Sequence, residues 1–157
     1  MIELKKLIET AFSHTPIPTA PLCDTYDDEG VGDYFAGRPR YGHTIKDLRY
    51  HSVAISFFKP EALRYYLPVF MLAELDDPEE ADIIADSIIS IFYSYGDLSQ
   101  SYVDYFEGRT IIFSGAERKA IIAFFNYFID RYGADEQNTA ALAYLLKLDS
   151  ELDLLGK

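Results

Sequence analysis

FFKPEALRYYLPVFMLAEL, residues 57–75, decides the fold class. Leu63, Tyr66, Leu67, Phe70 and Leu75 fall on one helical face, and Tyr65, Val69, Met71 and Leu72 occupy the others. A helix that is apolar nearly all round is covered on most sides, so this stretch reads as a central core helix. Pro60 suits its first position, where a missing N–H costs nothing. Pro68 lies inside it and removes the hydrogen bond to the carbonyl of Arg64, which predicts a kink around Arg64 to Pro68.

Working outward, Asp76-Asp77-Pro78 closes this helix and opens the next. Asp77 is its cap, and Glu79, Glu80 and Asp82 sit near its positive end. Ile84, Ile88, Ile91, Phe92 and Tyr95 form one stripe that runs to Gly96. Upstream, Thr44 caps a helix to about Tyr50, and His51 to Phe58 reads as strand or loop. Downstream, residues 97–113 carry aromatics without a settled period and read as a connector. Ser114 and Glu117 then make a capping box for a helix with Ile121, Phe124, Phe125, Phe128 and Tyr132 at helical spacing, ended by Gly133. Asp135 or Asn138 caps a last helix with Ala141, Leu145, Leu148 and Leu152 inward. At the other end, residues 2–12 form a short amphipathic helix, and Pro16, Pro18 and Pro21 hold the following segment extended. Residues 22–42 are the least regular, with a short helix from Asp28 to Ala36 ended by Gly37. The expected architecture is all-α: one domain over residues 1–157, a bundle of about five to six helices around a kinked central one.

The net charge of −12 opposes binding to nucleic acid phosphates and to anionic membrane surfaces. The excess is −4 in residues 1–78 and −8 in residues 79–157. It suits a solvated surface, or one that steers a basic partner. Cys23 is the single cysteine, which excludes an internal disulfide and fits a reducing cytoplasm. The first residues lack the uninterrupted apolar run of a secretory signal, and no segment is apolar for long enough to span a membrane. A cytoplasmic protein is expected.

The first candidate for chemistry is the acidic run Asp24, Asp27, Asp28, Glu29 and Asp33. Setting Gly30 at the sixth position of a calcium loop puts Thr25 first and Ala36 twelfth, where a bidentate Glu is required, so the spacing fails. His14, His43 and His51 are scattered with no zinc-ligand spacing, and Cys23 has no recognisable base. No phosphate loop or nucleophile motif occurs. No metal or cofactor is expected. Arg38, Arg40 and Arg49, with Lys46, make the one locally basic stretch, interleaved with Tyr41 and Tyr50. Pairing of these cations with the acidic run just before them is the favoured reading, ahead of an anion or base site.

Tyr65-Tyr66-Leu67-Pro68, followed by Val69-Phe70-Met71-Leu72, resembles the core motif of an uncharacterised family of small bacterial helical proteins. The helix after Ser114, with Ala120-Ile121 and Phe124-Phe125, is similar to that family's second block. The resemblance implies a mostly helical domain of unknown function, with no catalytic residue to carry over. Family members with further cysteine near Cys23 differ from this chain, which weakens a metal role.

The leading expectation is a non-enzymatic acidic binding protein that sequesters a basic partner protein, as an immunity or antitoxin protein does with a toxin. Asp24, Asp27, Asp28, Glu29, Asp33, Arg38 and Arg40 are its expected partner-binding residues. An enzyme with dispersed carboxylates facing Arg38 or Arg40 is the alternative, and a homo-oligomeric scaffold is a third reading.

Overall fold

A computed structural model describes residues 1–24, 30–94 and 99–157. Among them are eight α-helices and no strand: α1 Ile2–Ala11, α2 Ile45–Tyr50, α3 Pro60–Asp76, α4 Pro78–Ala81, α5 Ile84–Phe92, α6 Gln100–Thr110, α7 Gly115–Tyr132 and α8 Glu136–Leu154. The all-α class holds, with more helices than the five or six expected. One extra helix comes from a break. Asp82 adopts φ 49° and ψ −105°, outside the helical region, and splits the single helix expected after Pro78 into α4 and α5. Another is α6, where a connector was expected; its buried positions are Phe106, Arg109 and Thr110, two of them polar, so no apolar stripe announces it. No helix among the described residues is long and apolar enough to cross a membrane.

The chain divides into two compact units, His14–Ile88 and Met1–Ser13 with Ile89–Lys157. In the second of these, α7 packs on α1 and α8. Both long helices start on the caps the sequence announced. Ser114 accepts from the N–H of Glu117 while Glu117 accepts from that of Ser114, and Asp135 and Asn138 do the same for α8. Each box satisfies two N–H groups that a helix start leaves without partners. Phe113 sits edge-on to Phe12 at 6.3 Å and against Phe92 at 6.0 Å, and Phe92 meets Phe125 at 5.8 Å. Arg118 is fully buried and ties α7 to α8. Its Nε donates to Asp149 at 2.7 Å, and its terminal nitrogens donate to the carbonyls of Phe113 at 2.8 Å and Lys157 at 2.9 Å.

In His14–Ile88, α3 is the axis. Its helical assignment runs unbroken through Pro68, and residues on every face are buried, including Tyr65, Tyr66, Phe70 and Glu74. Phe35 belongs to a 3₁₀ turn, Asp33–Phe35; of the short helix expected over Asp28 to Ala36, residues 28 and 29 lie outside the described residues and the rest forms only this turn. Phe35 is fully buried among Tyr66 at 5.0 Å, Phe58 at 5.3 Å and Phe70 at 5.9 Å. His51 to Phe58, expected as strand or loop, contains a second 3₁₀ turn, Ser52–Ser56, that buries Ser52 and Ile55 at its three-residue period. Phe58 then makes an isolated antiparallel bridge with Cys23. That bridge pins the proline-rich segment 15–22 through Asp24 N–H to Phe57 carbonyl and Lys59 N–H to Leu22 carbonyl.

Candidate functional site

Pinning the proline-rich segment beside the turn at Phe35 leaves concave surface on both sides of it. One cleft, of about 350 Å³, is lined by Cys23, Asp24, Gly30, Gly32 and Asp33, among others. The other, of about 460 Å³, is lined by Ile17, Pro18, Leu22, Arg38, Tyr65 and Tyr66, among others. The structure thus brings Asp24, Asp33 and Arg38 to clefts that share Ala20, Leu22 and Ala36 as lining. Asp27, Asp28 and Glu29, also expected at the site, lie outside the described residues.

The two arginines fare differently. Arg38 is exposed, with its guanidinium 4.5 Å over the ring of Tyr34. Arg40 is buried, with its guanidinium over the rings of Tyr65 at 4.8 Å and Tyr41 at 5.3 Å. Both contacts are cation–π geometry. Arg40 is thus largely withdrawn from the surface. The expected pairing of these cations with Asp27, Asp28 and Glu29 falls on residues outside the described ones; of the interleaved aromatics, Tyr41 lies against Arg40.

Residues 35–40 owe their position to the tyrosine pair of α3. Tyr66 Oη donates to the carbonyls of Arg38 at 2.7 Å and Phe35 at 2.9 Å, and Tyr65 Oη accepts from the N–H of Arg40 at 3.2 Å. Burial, then the neighbouring Tyr65, pushes the Tyr66 phenol up to about 12, so it remains a donor. Gly37, at φ +70°, supplies the left-handed residue that turns the chain between these anchor points. Tyr66→Phe leaves the Arg38 carbonyl without that donor and should cost about 1–2 kcal/mol. Urea unfolding of the two proteins measures it, and an unchanged midpoint would remove the tyrosine from this role.

Behind the loop, Tyr34 stacks on His51 at 3.9 Å with the rings 11° apart. Tyr34 Oη and His43 Nδ1 are 2.9 Å apart, and His43 Nε2 lies 2.9 Å from the carbonyl of Pro39. A carbonyl only accepts, so Nε2 carries the hydrogen and, in neutral His43, Nδ1 accepts from the phenol. Burial holds His51 below its ordinary value, with Asp47 opposing the effect and Arg38 adding to it. Asp47 is held below the usual carboxylate range by its hydrogen bond from Thr44.

A second surface was read in the sequence only as helix punctuation. No Lys or Arg occurs between Tyr65 and Gly108. Asp76, Asp77, Glu79, Glu80, Asp82 and Asp86 are all exposed around α4 and the start of α5, with Ile83 half-exposed among them. Beneath them Glu74 is 5% exposed, and its Oε2 makes no hydrogen bond among the described residues. Burial first, then Asp86, pushes its carboxyl up to about 7. The run of capping carboxylates from Asp76 to Asp82, with no basic residue to interrupt it, was the available signal for this corner. Among the described residues no three His, Cys, Asp or Glu side chains group as a metal site would require.

A protein-family model described as a family of unknown function (DUF6714) matches residues 1–151. No curated protein and no solved structure matches the chain.

Proposed function

The chain belongs to this family of unknown function, and from that premise we propose that it is a non-enzymatic binding protein for a basic partner protein, in the manner of an immunity or antitoxin protein. The observation that carries the reading is the acidic corner around α4, where six exposed carboxylates and the exposed Ile83 fall within residues 76–86 and no basic residue lies within the 65–108 stretch. Such a field speeds encounter with a positive surface, and an apolar group inside an acidic rim supplies an anchor once contact is made. The proposal includes a bacterial, cytoplasmic setting and a place for Tyr65-Tyr66-Leu67-Pro68 as a core motif of the family.

The test is capture of partner proteins from the source cells at low ionic strength, followed by binding measurements with the purified partner. A basic protein should be recovered, with affinity falling steeply as salt rises. Combined Glu79→Lys, Glu80→Lys and Asp86→Lys should weaken it by about tenfold or more, whereas Asp130→Lys should change it little. Recovery of no basic partner, or of one indifferent to the corner's charge, would sink the reading.

A further inference from the structure

The larger cleft, beside Tyr65 and Tyr66, has a make-up that the acidic corner lacks. Its walls include Ile17, Pro18, Leu22 and Pro39, and among the described residues its one charged lining residue is Arg38. At about 460 Å³ it falls within the size range of small-molecule sites. All of its lining residues belong to His14–Ile88.

Arg38 lines this cleft, and both its side chain and its backbone are held by neighbouring groups. The guanidinium lies over Tyr34, which is itself stacked on His51. The Arg38 N–H donates to the Phe35 carbonyl at 3.0 Å, and its own carbonyl accepts from Tyr66 at 2.7 Å. The side chain is nonetheless exposed, and it has no carboxylate within ion-pair distance among the described residues. A preorganised guanidinium whose planar fork is unclaimed is a bidentate receptor for a carboxylate. One such cation matches one carboxylate. A phosphate dianion would retain an uncompensated charge in a molecule of net charge −12, where the long-range field already repels anions.

We propose that this cleft binds a small monocarboxylate with an aromatic or branched aliphatic body. The carboxylate pairs with Arg38, and the body lies against Ile17, Pro18, Leu22 and the tyrosine rings. The proposal is independent of the basic partner and of the acidic corner.

The experiment is a titration of the ¹⁵N-labelled full chain with phenylacetate, followed by amide chemical shifts, with phenylacetamide as the neutral isostere and inorganic phosphate as the competing anion. Phenylacetate should give saturable shifts centred on Leu22, Ala36, Gly37 and Arg38, and phenylacetamide should bind about tenfold or more weakly. Arg38→Gln should lose about tenfold in affinity for phenylacetate, and Arg38→Lys, which keeps the charge but not the fork, should fall between. Arg38→Lys also stands as the test should the Gln variant fail to fold. Shifts scattered over the surface, no shifts, equal response to the amide or to phosphate, or wild-type affinity in the folded variants would each overturn the proposal.

Discussion

Arg118→Ala is expected to lower the unfolding free energy by about 3 kcal/mol, the largest loss from any single polar side chain in the unit that contains it. The guanidinium is 1% exposed and satisfies four oxygens. Its removal leaves the Phe113 carbonyl and the Asp149 carboxylate without that donor and opens space between α7 and α8. The partners should rank by burial. Asp149 is 16% exposed at 2.7 Å, so Asp149→Asn should cost about 1 kcal/mol. Asp153 is 50% exposed at 3.3 Å, so Asp153→Asn should stay within about 0.5 kcal/mol. Chemical denaturation of the three variants decides the ranking. Equal losses at Asp149 and Asp153 would mean that the side chain acts by packing rather than by its hydrogen bonds.

Glu74→Gln should make the protein more stable at pH 8 while changing little at pH 4.5. The folded-state value of about 7 lies above the ordinary 4.5, so the native protein binds the proton more tightly than the unfolded chain. The contribution of the protonated carboxyl is complete below about pH 4.5 and is lost as pH rises through 7. A displacement from 4.5 to about 7 corresponds to about 3 kcal/mol, an upper figure because the buried amide that replaces the carboxylate also lacks a partner. The difference between wild type and variant, followed from pH 4.5 to 8, cancels the other carboxylates and isolates this one. Parallel stability curves would show that Glu74 reaches solvent or a cation in the folded protein.

The helices that sequence alone places well are those whose two ends and interior agree. α7 has Ser114 and Glu117 at one end, Gly133 at the other and buried Ile121, Phe124 and Phe125 between. α6 has none of these: Ser99 makes no capping bond with its side chain, and Arg109 and Thr110 take inward positions where apolar groups are expected. The break at Asp82 was hidden because the caps at Asp77 and Pro78 run directly into a helical stripe that begins at Ile84, and periodicity carries no information about one residue's φ. The candidate site divides in the same way. Local composition drew attention to Asp24, Asp33 and Arg38, which do line clefts. The burial of Arg40 and the grip of Tyr66 on residues 35–38 depend on pairs 25 to 31 positions apart, which no local pattern announces.

That separation also bears on the order of events as the chain folds. α3 closes its turns between neighbours, but the tyrosine grip requires residues 35–40 to be carried back across the intervening segment that holds α2 before any bond repays the lost entropy. The phenol of Tyr66 thus belongs to the late steps, after its helix exists. Tyr66→Phe should therefore shorten the native lifetime and leave the refolding rate nearly unchanged in stopped-flow kinetics, the behaviour of a latch closing on α3 as its scaffold.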